Sequence, residues 1–304
     1  MHSAYFWIGF HLLIFILILL DLGIFRGKAK KTISFKQACL HSIFWIVLAL
    51  LFNLFIYYAF GYESALQFFT GYLIEKSLSV DNLFLFLTIF MHFHVSETDQ
   101  YKILYWGILG ALILRISLIL IGVALISKFH WMFYLFGAFL VITGINFVRQ
   151  NHQKRTDPSK SLSYRILKKI FPIEEGEARG NFFVKKRGKW KVTTLFVVLL
   201  LIEFADILFA LDSIPAIFAI TTDLFIIYTS NVFAILGLRS LYFVVAASLN
   251  RLRYYQLGLA MILVFVGAKM LLTHVVAISV PISLAVIIAI LGGTTAFSLL
   301  KRSK

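Results

Sequence analysis

The sequence predicts an all-α, polytopic membrane protein with about nine transmembrane helices in a single transmembrane domain, residues 1–304. Three observations lead to this fold class. Hydrophobic residues make up 61% of the chain and charged residues 14%, whereas soluble domains contain about 45–50% and about 25%. Apolar runs long enough to cross a bilayer recur along the whole chain. Lysine and arginine are concentrated in alternate connections between these runs.

Each apolar run is about 20 residues long, which is the length that a helix needs to cross the hydrocarbon core. The first run contains no small-residue cleavage site, so we expect it to be a span and not a removable leader. The predicted spans are 5–25, 40–60, 66–91, 103–126, 130–149, 192–220, 224–249, 254–275 and 279–300.

The basic residues predict the orientation of the chain, because lysine and arginine accumulate in cytoplasmic loops. The loop after the first span, the loop 150–191, the connection 250–253 and the C-terminal tail are all basic. In the predicted arrangement these segments share one side, and the opposite connections contain only Lys128. We therefore expect the N-terminus outside and the C-terminus in the cytoplasm.

The net charge of +15 has a simple explanation in this loop bias, so we expect the lipid bilayer and not nucleic acid as the partner. The largest soluble segment is the basic cytoplasmic loop 150–191. The single cysteine, Cys39, excludes an intramolecular disulfide and a metal site built from several thiolates.

Carboxylates lie near the middle of two of the predicted spans. Span 6 contains Glu203, Asp206 and Asp212, and span 3 contains Glu75 and Asp81. A charge at the bilayer centre costs roughly 2.5–3.5 kcal/mol on insertion scales, so such residues need a cation, a proton or a buried arginine. We therefore predict that the two spans form the two halves of one ion site.

The same order of features occurs twice, which predicts an inverted repeat of spans 3–5 (66–149) and spans 6–8 (192–275). Each copy has an acidic pair six residues apart, then an intramembrane arginine, then a glycine-spaced helix. Because three spans are an odd number, the copies have opposite orientations, as in many secondary transporters. The equivalent segments are Glu75–Asn82 and Asp206–Ser213, Gly110–Arg115 and Gly237–Arg239, and Gly137–Gly144 and Ala260–Gly267.

Two helix breaks are expected beside the acids. Pro215 removes a backbone N–H and its ring clashes with the carbonyl of Leu211. Ser77, Ser79 and Asn82 compete with the backbone for hydrogen bonds in span 3. A break in span 6 would turn Asp212 toward the site, and we expect Asp81 and Asp212 to be near neighbours at mid-bilayer.

Every candidate ligand is an oxygen donor, and hard oxygen ligands favour Mn²⁺, Ca²⁺ or Mg²⁺ over copper or zinc. Carboxylates that repel one another also take up protons readily, which makes metal–proton exchange chemically natural. Arg115 and Arg239 are expected to be charge partners of the acids. A structural acid–arginine network that locks the repeats together is the competing interpretation. The candidate metal ligands are Glu75, Asp81, Asn82, Glu203, Asp206, Asp212 and Ser213.

Three stretches together resemble the TerC family of integral membrane proteins, in its long bacterial, Alx-like branch. They are TGYLIEKSLSVDN at 70–82, EFAD and FALDSIPAIFA within 203–219, and TSNVFAILGLR at 229–239. The resemblance covers essentially the whole chain. It implies a bacterial cytoplasmic (inner) membrane protein related to LysE-type cation exporters, with a link to Mn²⁺ export and a family name taken from tellurium resistance.

The leading hypothesis is therefore a secondary transporter that exports Mn²⁺ from the cytoplasm, with protons as the candidate counter-ion. Ca²⁺ remains an alternative ion, and a non-transporting membrane scaffold or stress protein remains an alternative class. We expect no enzymatic activity and no prosthetic group. The chain has neither a His-Glu-x-x-His metalloprotease motif nor a Gly-x-x-x-x-Gly-Lys nucleotide-binding loop.

Overall fold

The structure is a computed structural model. It describes residues 4–26, 34–129, 131–149, 164, 173–174, 180–186, 189–248, 255–272, 275 and 278–300. Within these residues the backbone is almost entirely helical. Ten helices have defined bounds: α1 Ala4–Arg26, α2 Phe35–Phe60, α3 Tyr62–His92, α4 Glu97–Lys128, α5 Met132–Arg149, α6 Thr194–Phe218, α7 Leu224–Ile235, α8 Leu238–Ser248, α9 Tyr255–Leu271 and α10 Val280–Leu300.

The helices confirm an all-α integral membrane protein. Among the described residues, four helices are long and apolar enough to cross a membrane: α2, α4, α6 and α10. The pair α7 and α8 forms a fifth candidate, which is bent by 48° at its break. Shorter apolar stretches, Tyr5–Leu19, Tyr134–Asn146 and Leu257–Leu271, lie within α1, α5 and α9. Helix α3 carries charged residues within its 31-residue length. The predicted number of about nine spans therefore stays a prediction.

The chain breaks inside predicted span 7, whereas the breaks expected in spans 3 and 6 are wrong. Helix α6 continues through Pro215 to Phe218. The missing N–H and the proline ring affect the carbonyl of Leu211, four residues earlier, but the helix continues for a further three residues. In α3, the Ser77 and Ser79 hydroxyls donate to carbonyls four residues earlier without interrupting the helix.

The loop 150–191 contains a small β-sheet that the all-α prediction did not include. Strands β1 (Ile173–Glu174), β2 (Phe183–Lys186) and β3 (Lys189–Thr193) pair in the order β1-β3-β2. β2 and β3 are antiparallel, and β1 is parallel to β3. The alternation of lysine with Trp190 and Val192 in β3 is a strand pattern that the sequence does contain.

Two apolar clusters form the core, and a polar layer separates them. On α4, Ile103 and Leu104 belong to one cluster and Ile119 and Ile126 to the other, with Arg115 in between. Helix α6 passes between the same clusters around Asp206. α3 packs against α7 and α8, and α4 packs against α6. The candidate site therefore lies between the two apolar clusters, at the level where these helices pass from one to the other.

Helices α5 and α9 cross each other through small residues. A Cβ at Gly267 would lie 2.7 Å from the carbonyl oxygen of Gly137, and a Cβ at Gly144 would lie 2.8 Å from that of Ala260. Small residues let two membrane helices approach backbone to backbone, where packing and not hydrophobicity drives association. This contact holds α5 directly on α9.

Candidate ion site

Arg115 is the centre of the polar layer, and its side chain is only 2% exposed. Nη2 lies 3.1 Å from Asp206 Oδ1, and Nε lies 3.4 Å from Asp206 Oδ2. Nη1 donates to Glu75 Oε1 in a close ion pair. Nη1 also lies 3.1 Å from Asn231 Oδ1 and 3.3 Å from Ser213 Oγ. One guanidinium thus collects oxygen atoms from α3, α6 and α7.

The helices orient these groups through local bonds as well. The Asn231 amide nitrogen donates to the Ile227 carbonyl at 2.9 Å, which directs its oxygen toward Arg115. Asp206 and Ser213 lie seven residues apart on α6, about two helical turns, and so share one face. Glu75 is fully buried on α3. The guanidinium group of Arg115 has five N–H donors in a rigid, planar arrangement, so it can bond to several of these oxygens at once.

Glu203 lies one turn from Asp206 on α6 but outside the hydrogen bonds of Arg115. Its carboxylate covers the face of Gly110 on α4, where an added Cβ would overlap the carboxylate oxygens. A cavity of about 20 Å³ lies here, lined in part by Glu203, Asp206 and Arg239. This volume is enough for about one water molecule. Within the described part of the chain, Glu203 Oε2 is buried without a hydrogen-bond partner.

Lys76 caps the break between α7 and α8. Its Nζ lies 3.2 Å from the carbonyl oxygen of Ala234 and 3.4 Å from that of Leu236. The C-terminal carbonyls of a helix carry partial negative charge, which a cation stabilises. Gly237 follows with φ +82°, and a Cβ there would lie 2.7 Å from Trp45. The break is therefore fixed by glycine, by Trp45 on α2 and by Lys76 on α3.

The structure brings together some of the predicted residues and leaves others undescribed. Glu75, Asp206 and Ser213 meet at Arg115, and Asn82 is buried on α3. Asp81 and Asp212 lie within α3 and α6, but their side chains are outside the described residues. Their predicted proximity stays a prediction. Among the side chains that the structure does describe, no three of His, Cys, Asp or Glu are grouped as for a metal ion.

Two contributions to the site were not predicted from the sequence. Asn231 was not among the candidate ligands, although an amide inside an apolar helix is a detectable anomaly. Lys76 was expected neither at a helix end nor near span 7, because its partners lie 158 and 160 residues away. His11 bonds instead to the Trp7 carbonyl on its own helix and to the Tyr228 hydroxyl on α7.

The described cluster contains as many basic as acidic side chains. Three carboxylates, Glu75, Glu203 and Asp206, lie with the guanidinium groups of Arg115 and Arg239 and with the ammonium group of Lys76, which interacts electrostatically with Glu75. Asp81 and Asp212 belong to the same two helices and add to the demand for positive charge if they are ionised. Such a layer has the chemistry to bind a cation or protons. In the present arrangement Arg115 pairs with Glu75 and Asp206, while Glu203 Oε2 has no hydrogen-bond partner among the described residues.

The comparisons with known proteins agree on one family. The sequence pattern of the Integral membrane protein TerC family matches residues 60–304. An uncharacterized membrane protein of Myxococcus xanthus is 45% identical over 295 residues, which cover 97% of this chain and 92% of that protein. A Rickettsia bellii membrane protein, also uncharacterized, is 42% identical over 285 residues, 94% of each chain.

A third relative carries a functional name. The Escherichia coli protein named "Putative membrane-bound redox modulator Alx" is 42% identical over 293 residues, which cover 94% of this chain and 91% of that protein. No solved structure matches the chain. The family match and these identities over nearly the full length lead to one conclusion: the chain belongs to the TerC family of integral membrane proteins.

Proposed function

We propose that this protein is a secondary transporter that exports a divalent cation through the polar layer around Arg115. Mn²⁺ is the proposed ion. The function is non-enzymatic, and no prosthetic group takes part. Protons are the proposed counter-ions, and the acids take them up when the metal leaves. Metal homeostasis and protection from excess metal are the corresponding physiological roles.

The oxygen set around Arg115 is the single observation that carries the proposal. Glu75, Asp206, Ser213 and Asn231 all direct an oxygen at one guanidinium. Carboxylate, hydroxyl and amide oxygens are ligands that Mn²⁺ and Ca²⁺ accept and that softer metals do not prefer. In the proposal Arg115 takes the place of the ion in the metal-free state. A metal ion displaces it because two cations at the same buried oxygens repel each other.

The remaining predicted ligands extend the same site. Asp81 and Asp212 follow Glu75 and Asp206 by six residues on α3 and α6, and Asn82 and Glu203 lie on the same helices. In the proposal the ion passes from the Arg115 cluster along these residues. Arg239 balances the acids from α8, at the small cavity that it shares with Glu203.

The packing supports two inverted triplets that rock around the site. The repeat pairs Gly137 with Ala260 and Gly144 with Gly267. If each residue is replaced by its equivalent in the other copy, the contact of Gly137 with Gly267 becomes a contact of Ala260 with Gly144. The structure contains both contacts. The same replacement converts the packing of α3 against α7 and α8 into that of α6 against α4. A two-fold axis in the membrane plane is the usual cause of such a pattern.

The proposed orientation places the sheet-bearing loop 150–191 and the C-terminus in the cytoplasm, and the N-terminus outside. It rests on the distribution of lysine and arginine. The chain is proposed to reside in the bacterial inner membrane, as its bacterial relatives are membrane proteins.

One observation favours a second candidate, a non-transporting scaffold. Arg115 bonds to both Glu75 on α3 and Asp206 on α6, so it ties the two proposed triplets together. Separating this buried arginine from one of its carboxylate partners would leave an uncompensated buried charge. Breaking a buried ion pair in this way costs about 3–5 kcal/mol of stability. A permanent lock of this kind would suit a scaffold in stress responses, with tellurium resistance as one context.

Metal content of whole cells separates the two candidates. Cells that express the protein are loaded with Mn²⁺, and their Mn²⁺ and Ca²⁺ contents are compared with those of cells expressing Asp81→Ala, Asp206→Ala or Asp212→Ala at equal levels. The transporter proposal predicts low Mn²⁺ with the wild-type protein and high Mn²⁺ with the variants.

Each other result has a defined meaning. Equal metal contents in wild type and variants would reject transport and leave the scaffold. A fall in Ca²⁺ without a fall in Mn²⁺ would reject the ion assignment but keep the site. Gly292→Ala is the matched control, because a Cβ at Gly292 meets nothing within 4 Å.

A further inference from the structure

The hairpin of β2 and β3 concentrates positive charge and aromatic side chains at one end of the bundle. Residues 185–191 read Lys-Lys-Arg-Gly-Lys-Trp-Lys, with five basic residues and no acidic one. Ion export makes no use of this segment. A solvated loop explains the lysines but not the exposed aromatic residues among them.

One face of the hairpin carries the aromatic groups together with a lysine. Phe183 and Lys185 on β2 pair with Val192 and Trp190 on β3, so these four residues lie on the same face. Trp190 is 68% exposed and Phe183 is 50% exposed, and Lys185 is exposed beside them. Large exposed apolar side chains on a short ribbon indicate a contact surface.

The other contacts of the segment hold the hairpin to the bundle. Lys102 on α4 donates to the carbonyl oxygen of Gly180, and its Nζ lies 4.7 Å from the centre of the Phe182 ring. Thr193 at the end of β3 donates to the Asn181 carbonyl at 2.7 Å. These contacts hold the hairpin in place without Lys185 and Trp190.

The aromatic face lies beside the point where the chain enters the membrane. β3 ends at Thr193, and α6 begins at the next residue. The ring centre of Phe183 is 4.8 Å from that of Phe196, in the first turn of α6. Trp190 is only four residues ahead of α6, so a distance of roughly 13 Å at most separates it from the helix start. Both aromatic residues therefore lie close to the start of a helix that is long and apolar enough to cross the membrane.

We propose that the hairpin face formed by Phe183, Lys185 and Trp190 docks on the surface of the bilayer and recognises anionic lipid headgroups. Tryptophan prefers the membrane–water interface because its ring is amphipathic. Each lysine near an anionic surface gains about fivefold in binding at ordinary salt concentration. The partner is a lipid surface and not a protein, because the charge is uniform and the face adjoins a membrane-spanning helix.

The test uses the full chain in lipid nanodiscs and the fluorescence of Trp190. Discs contain phosphatidylcholine alone or an equal mixture with phosphatidylglycerol, with or without bromine on the acyl chains. The fluorescence of Trp190 is obtained by subtracting the spectrum of Trp190→Phe from that of the wild type. This subtraction cancels the fluorescence of the other tryptophans. The proposal predicts strong quenching by brominated lipid in the anionic discs and weaker quenching in phosphatidylcholine.

A charge variant tests the headgroup preference. Lys185→Gln should lower the docked-to-free ratio in anionic discs about fivefold and leave phosphatidylcholine discs unchanged. Added salt should also lower the docked-to-free ratio in anionic discs, because it screens the attraction between exposed charges. Lys36→Gln, which removes an exposed lysine from α2, is the matched control and should have no effect.

Two results would overturn the proposal. Absence of bromine quenching in both lipids would mean that the face stays in water or binds something other than a bilayer. Equal quenching in both lipids, unchanged by Lys185→Gln, would mean that the hairpin does not recognise anionic headgroups. Neither result depends on metal transport, so the proposed function would stand or fall separately.

Discussion

Arg115 donates two hydrogen bonds to the carboxylate of Asp206, with Nη2 3.1 Å from Oδ1 and Nε 3.4 Å from Oδ2. Both residues are buried, at a position where α4 and α6 pass from one apolar cluster to the other. A pair between a guanidinium fork and a carboxylate is directional, because both oxygens face N–H donors. Substitution of either Arg115 or Asp206 therefore tests this pair.

Arg115→Met should destabilise the protein strongly, because it leaves Glu75 and Asp206 buried without their cation. The expected loss is about 3–5 kcal/mol. Adding Asp206→Asn to this variant should recover part of the loss, since one buried negative charge disappears. Thermal unfolding of the purified protein, followed by the reaction of Cys39 with a fluorogenic maleimide, measures both. An unchanged midpoint for Arg115→Met would contradict the buried pair.

Gly110→Ala should impair the site, whereas Gly292→Ala should not. The new methyl group at position 110 overlaps the Glu203 carboxylate and forces it to move. Overpacking of this kind costs about 1–3 kcal/mol. The melting temperature and the Mn²⁺ content of loaded cells should both change for Gly110→Ala. If the two alanine variants behave alike, Glu203 does not lie against Gly110.

Lys76→Met should weaken the break between α7 and α8, because the carbonyl groups of Ala234 and Leu236 lose their cationic donor. A buried acceptor without a partner costs about 1–3 kcal/mol. Lys76→Arg keeps the charge and should retain more of the stability. The comparison is made by thermal unfolding, with Lys36→Met as the control for the loss of an exposed lysine. Equal stability of Lys76→Met and wild type would reject the capping role.

Cysteine labelling tests the proposed orientation. In a Cys39→Ser background, Glu97→Cys at the start of α4 should react only from the cytoplasmic side. Thr222→Cys, in the exposed turn before α7, should react with an impermeant maleimide added to intact cells. Labelling of both positions from the same side would contradict the predicted number of spans between them.

The sequence predicted the helices well because hydropathy is a local property. Each run of about 20 apolar residues must bury its own backbone hydrogen bonds in a bilayer, so a helix follows wherever such a run occurs. The acidic residues were also recognisable as candidate site residues, since an ionised group in hydrocarbon needs a partner. That Arg115 pairs with Glu75 and Asp206 agrees with the expected acid–arginine pairing.

The position of the helix break could not be predicted in the same way. Pro215 has a strong local effect, but it lies near the end of α6, where the helix tolerates it. The real break after Ile235 depends on Lys76 and Trp45, which approach from other helices. Asn231 became part of the site for the same reason, because its partner Arg115 is 116 residues away.

Mn²⁺ flux in reconstituted vesicles tests the central claim most directly. Purified protein is placed in liposomes that contain a Mn²⁺-sensitive dye, and Mn²⁺ entry is compared for wild type, Asp206→Ala and Gly292→Ala. We predict entry with wild type and Gly292→Ala, and none above empty liposomes with Asp206→Ala. Equal rates for all three proteins and for empty liposomes would contradict transport through the Arg115 layer.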